Sequence, residues 1–188
     1  MFKNRGMKTY FIIGAALFIV GVFLGSLYAA GLQGNAYSEV ADYLKVFLAQ
    51  GFGEKAEVFK NSLIINFRVF ALMFLAGFFK LTIPITIAAI GFEGFISGFT
   101  TASFIKVFGI KGLLLGLSGI LASVVFIVNL VFFGAWSMKF SLCNGKNDRF
   151  LKKNYLILSL ICLTIICITS LIDGYITTTF MGFAVTKL

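Results

Sequence analysis

Long apolar runs separated by short charged clusters set the rhythm of this chain. Tyr10 to Leu32 contains no charged residue. At 1.5 Å per residue such a run crosses the ~30 Å hydrocarbon core of a bilayer with a little to spare. It is longer than the apolar core of a signal peptide, and no small-x-small cleavage site leads from it into a soluble domain, so it reads as span 1. From Leu63 to Ile105 only Arg68, Lys80 and Glu93 interrupt the apolar pattern. That stretch is too long for one span and fits two, about 63–79 and 81–105, turning near Lys80 and Leu81. Pro84 then falls in the first turn of the second, where its missing N–H costs nothing. Lys106 to Lys111 predicts a tight turn and 112–138 a fourth span with Trp136 at an interface. A basic cytoplasmic loop at 139–154 precedes a fifth span at 155–172.

The sizeable polar segment, 33–61, carries a second periodicity. Val40, Tyr43, Leu44, Phe47 and Leu48 recur at the i, i+3, i+4, i+7, i+8 spacing of an amphipathic helix. Ser38 suits its N-cap, Glu39 and Asp42 suit its first turn, and Gly51 to Gly53 suits its end. Such a stripe either lies on the lipid surface or docks an extracytoplasmic partner; both readings stay open. The fold class predicted is an all-α integral membrane protein, a single membrane domain over 1–188 with five transmembrane helices and one extracytoplasmic amphipathic helix. Membrane lipid is its first partner.

Composition agrees with this and excludes much else. The 188 residues are 60% hydrophobic and 12% charged, about half the charge of a soluble domain. The formal charge of +9 flanks the apolar runs, and no basic patch with exposed aromatics suggests nucleic acid. With the N-terminus inside, Lys3, Arg5, Lys8, Lys80, Lys139, Lys146, Arg149, Lys152 and Lys153 gather on the cytoplasmic side. The segment bearing Glu39, Asp42, Glu54 and Glu57 falls outside. The positive-inside rule therefore predicts N-in, C-out. There is no histidine, which removes histidine-based triads, HExxH zinc sites and histidine-ligated haem. Cys143 adjoins the basic loop, while Cys162 and Cys167 lie about 500° apart around a helix and cannot share a metal. With no nucleotide-binding or hydrolase motif, the expectation is no enzyme, no cofactor and no metal.

The mid-span polar residues need an explanation. Arg68 lies 12 residues before Lys80 and Glu93 lies 12 after Leu81, so an antiparallel hairpin puts them at equal depth, about 18 Å from the turn. Each charge is costly in hydrocarbon, which predicts a structural Arg68–Glu93 ion pair. Snorkelling of Arg68, with Glu93 protonated or bonded to Asn129, is the alternative. Asn129 itself reads as an interhelical hydrogen bond. Gly21 with Gly25, Gly94 with Gly98, and Gly112 with Gly116 have the spacing that lets helices approach closely in lipid. They serve packing within the bundle or a homodimer seam.

The order of motifs resembles a known family over nearly the whole chain. "GVFLGSL" in span 1 precedes "FKNSLIINFRV", then "FLAGFF", "IPI", "GFEGFISGFT", "GIKGLLLGL" and "LIDGYIT". With Asn66, Arg68, Gly77, Pro84, Gly94, Gly98-Phe99, Gly112 and Asp173-x-Tyr175, the series resembles the stage II sporulation protein M family. That resemblance implies a membrane anchor in engulfment, at the sporulation septum and engulfing membrane. It would position stage II sporulation proteins D and P, which degrade septal peptidoglycan. The surfaces expected to bind them are the stripe Val40, Tyr43, Leu44, Phe47 and Leu48, and the end of span 5 at Asp173 and Tyr175. The rival reading is a small transporter or channel subunit served by a separate ATPase, for which Glu93, Arg68 and Asn129 speak.

Overall fold

A computed structural model describes residues 6–49, 54–142 and 149–179. Lys3, Arg5, Gly51 to Gly53, Cys143 and Lys146 lie outside the described residues. The helices are α1 Met7–Gly31, α2 Gly34–Ala49, α3 Lys55–Gly77, α4 Ile83–Phe108, α5 Ile110–Leu142 and α6 Arg149–Ile172. A 3₁₀ turn, Lys80–Thr82, joins α3 to α4, and a π-helical turn, Asp173–Thr177, continues α6. Five helical stretches are long and apolar enough to cross a membrane: Met7–Gly31, Lys55–Gly77, Ile83–Phe108, Ser123–Leu142 and Arg149–Ile176. No strand occurs among the described residues.

The helices reach further into the polar flanks than the apolar runs do. α3 begins at Lys55 rather than Leu63, and α6 at Arg149 rather than Tyr155. Lys, Glu and Arg are good helix formers, so a span extends past the hydrocarbon without losing its backbone bonds. The segment 33–61 therefore divides between α2 and the first turns of α3. Lys139 to Leu142 complete α5, which shortens the basic loop. Ser38 is not an N-cap: α2 starts four residues earlier at Gly34, with φ of 58°, a left-handed value that glycine tolerates. The Ser38 hydroxyl instead donates to the Asn35 carbonyl at 2.8 Å within the helix. Pro84 sits in the first turn of α4, as its chemistry predicts.

α1 and α4 run parallel and meet along glycines. A Cβ at Gly21 would strike the Gly91 carbonyl, one at Gly25 the Phe95 carbonyl, one at Gly94 the Phe18 carbonyl and one at Gly98 the Val22 carbonyl. The contacts are reciprocal, so each backbone packs into the gap left by the other's missing side chains. Gly112 does the same for the α4–α5 turn against the Phe104 carbonyl, and Gly116 faces Thr101. All six predicted packing glycines meet neighbours within this chain. Lys106 closes the α1–α4 pair by donating to the carbonyls of Ala29, Ala30 and Leu32 at 3.2, 2.6 and 2.6 Å. This satisfies the open C-terminal end of α1.

α5 packs against α1, α3, α4 and α6 and holds much of the core through Phe126, Leu130, Val131, Phe133, Ala135, Met138 and Phe140. Tyr155 of α6 is buried among aromatic rings. It stacks on Phe140 with centroids 4.2 Å apart and on Phe74 at 5.5 Å, and meets Phe78 edge-on. Its hydroxyl donates to the Phe74 carbonyl at 2.9 Å, and Gly77 leaves that hydroxyl its space. Asn129 donates from Nδ2 to the Cys162 carbonyl at 3.1 Å, the interhelical bond its mid-span position predicts. Leu44 of α2 packs with Phe104 and Leu115, so α2 seats on the end of the bundle formed by the α4–α5 turn.

Candidate functional site

α4 takes α1, not α3, as its main partner, and the glycine face that meets α1 leaves another face free for polar residues. Glu93, Ser97, Thr100 and Thr101 recur at intervals that place them on one side of α4. Together with Asn66 of α3, Ser123 of α5 and Asp173 of the π-helical turn they line a cavity of about 230 Å³. Phe104 and Leu115 lie at its α2 end, so its wall extends along α4 for ~16 Å, from Glu93 to Phe104. Ile96, Phe126 and Ile127 also belong to the lining, so polar and apolar side chains share it.

The wall is tied together by side-chain hydrogen bonds. Ser62 donates to Asp173 Oδ2 at 2.6 Å, and Asn66 Nδ2 donates to Ser62 Oγ at 3.3 Å and to Ser170 Oγ at 3.4 Å. These bonds join α3 to α6 and its π-helical continuation. Gly174 makes the approach possible, because a Cβ there would crowd Phe59 and the Lys55 carbonyl. On α4, the Ser97 hydroxyl donates to the Glu93 carbonyl and the Thr101 hydroxyl to the Ser97 carbonyl, each at 2.9 Å.

The Arg68–Glu93 ion pair does not form. Among the described residues the ion pair present is Lys45–Asp42 at 3.7 Å, on the surface of α2. Arg68 is exposed, whereas Glu93 is half-buried in the cavity wall. Counting residues from the turn left rotation about the helix axes open. Arg68 lies about 200° around α3 from Asn66, which with Phe70, Met73 and Gly77 forms the buried face. The arginine therefore points away from the bundle.

The residues predicted to bind partners divide in the same way. Leu44 is buried, Val40 and Leu48 are half-buried against the bundle, and Tyr43 and Phe47 are exposed. Asp173 is half-buried and bonded to Ser62, so it belongs to the cavity and not to an outer surface. Tyr175, two residues on, is exposed. Sequence reasoning missed Ser62, Ser97, Thr100, Thr101 and Ser170, although the four- and seven-residue offsets of the α4 hydroxyls from Glu93 were a usable signal.

A family model described as stage II sporulation protein M matches residues 14–178. The chain belongs to the stage II sporulation protein M family. The matched region contains every cavity residue named above and the glycines of the α1–α4 seam. With five apolar helices, the chain fits a multi-pass membrane protein connected with sporulation. No curated protein and no solved structure gave a match.

Proposed function

We propose that the chain is a non-catalytic membrane scaffold of endospore formation. It anchors and positions the septal peptidoglycan hydrolases, stage II sporulation proteins D and P, as the mother-cell membrane engulfs the forespore. Family membership supports the sporulation setting. The observation that carries the scaffold is the form of the bundle end that bears α2. Ala41 and Leu44 hold that helix down, while Tyr43, 71% exposed, and Phe47 face outward. Tyr175, 51% exposed, belongs to the turn after α6 at the same end. Rigidly held, exposed aromatics are the residues that make good anchors in protein interfaces. On this reading α2 is an extracytoplasmic amphipathic helix, the N-terminus is cytoplasmic, and the protein works at the sporulation septum.

An affinity pull-down of the tagged full-length chain from sporulating cells tests the proposal. Both hydrolases are expected in the eluate, and Tyr43→Ala with Tyr175→Ala should reduce their recovery at unchanged bait level. Recovery of an ATPase without either hydrolase would replace the scaffold with a transporter subunit.

A further inference from the structure

We infer that the outer face of α3 docks a membrane-spanning helix of another protein, one that presents a carboxylate at the depth of Arg68. The apolar runs 10–32, 63–79, 81–105, 112–138 and 155–172 contain two charged residues, Arg68 and Glu93. Glu93 is half-buried in the cavity wall, whereas Arg68 is exposed. Among the described residues Arg68 has neither an ion pair nor a hydrogen bond. It lies ~8 Å from the start of its run and ~17 Å from the end. A lone charge at that depth is costly in hydrocarbon, and none of the described residues offsets it.

The residues around Arg68 have the pattern of a helix seam. Asn61, Ile65, Arg68, Leu72 and Leu75 follow one another at alternating steps of four and three residues, and all five are exposed. That is the spacing with which a helix lays a narrow stripe along a partner helix. Ile65, Leu72 and Leu75 supply apolar contact, and a single polar position within such a stripe selects the partner and its register. An arginine suits that task, since its planar fork binds a carboxylate through two parallel hydrogen bonds. In lipid, where apolar burial gives little drive between helices, such polar contacts help to join them.

A second copy of this chain does not meet the requirement. In a dimer whose two-fold axis runs along the membrane normal, α3 would lie parallel to its copy and set Arg68 against Arg68. The chain's own carboxylate within the apolar runs is Glu93, which belongs to the cavity wall and not to the outer face. The occupant is therefore a different chain with Asp or Glu in its span. The inference does not rest on the scaffold reading, because Tyr43 and Tyr175 lie outside this stripe.

Energy transfer in lipid vesicles tests it. The full-length protein carries the donor fluorophore. The acceptor is on a synthetic leucine-alanine membrane-spanning peptide with one central Glu, or with Leu or Lys in its place. The Glu peptide is expected to give saturable transfer, with the Leu and Lys peptides at least tenfold weaker. Arg68→Leu, which suits a lipid-facing position, should reduce the Glu peptide to the level of the Leu peptide. Glu93→Gln should leave the midpoint in place. Leu72→Ala with Leu75→Ala should weaken binding severalfold, and the same exchange at Leu24 and Leu27, exposed on α1, should not. If Arg68→Leu lowers the folded yield, Arg68→Gln makes the same comparison by removing the charge. Equal transfer for the Glu and Leu peptides, or transfer that survives loss of the arginine, would overturn the inference and leave Arg68 reaching for the membrane surface. Transfer between two differently labelled copies that Arg68→Leu removes would overturn it in favour of a homodimer.

Discussion

Gly91 and Gly94 stand three residues apart on α4 and have different surroundings. A Cβ at Gly91 meets nothing within 4 Å, whereas one at Gly94 runs into the Phe18 backbone. Backbone cannot yield as a flexible side chain can, so the α1–α4 seam must open to admit a methyl group. Gly94→Ala is expected to destabilise the bundle by about 1–3 kcal/mol, the usual cost of overpacking. Gly91→Ala should be neutral within about 0.5 kcal/mol, and comparison of the two melting temperatures in detergent checks this. The charged pair on the same hairpin behaves differently from what its spacing suggests. Because Arg68 and Glu93 face apart, the effects of Arg68→Gln and Glu93→Gln should add, with a coupling below about 0.5 kcal/mol in a double-mutant cycle. Recovery of stability in the double variant would instead mean that the two groups meet.

Among the elements, α1 and α4 form the closest pair, although two helices separate them in sequence. Their seam ends where Lys106 binds the last carbonyls of α1, and its ammonium also lies 5.4 Å from the Tyr37 ring of α2. One side chain thus connects α1, α4 and α2. Lys106→Met keeps much of the stem but removes the donors. It should cost about 1–3 kcal/mol, within the range for hydrogen bonds to a charged group. Amide hydrogen exchange at the C-terminal turn of α1 should accelerate, while the amides around Gly14 keep their protection. Uniform acceleration along α1 would mean that the lysine supports the whole helix and not its end. The sequence signal for this cap was weak, since a lysine near a turn reads equally well as a solvated charge.

At the scale of the molecule, the helix directions place Lys8, Lys139, Arg149, Lys152 and Lys153 at one end of the bundle, opposite the end that bears α2 with Glu39 and Asp42. The expectation from the positive-inside rule is that the end with Lys8, Lys139, Arg149, Lys152 and Lys153 faces the cytoplasm. A reporter active only outside the membrane is expected to work when fused after Leu188 and to fail when inserted near Asn147. The opposite pattern would invert the topology and move the exposed face of α2 into the cytoplasm.

The number and approximate limits of the apolar helices were legible in the chain alone, because the bilayer's thickness and the helical rise together fix how long an apolar run must be. The close-packing glycines were legible too, since few other residues explain GxxxG spacing in lipid, but their partners were not. Spacing reports that a backbone can be approached and is silent on which helix approaches it. Tertiary structure gave the glycine face of α4 to α1, and that choice rotated Glu93 toward Asn66 and Asp173 instead of toward Arg68. Depth in a membrane is a one-dimensional property, readable by counting residues from a turn. Rotation about a helix axis depends on all the neighbours at once, and it is rotation that gathered the polar side chains of α3, α4, α5 and the π-helical turn around one cavity.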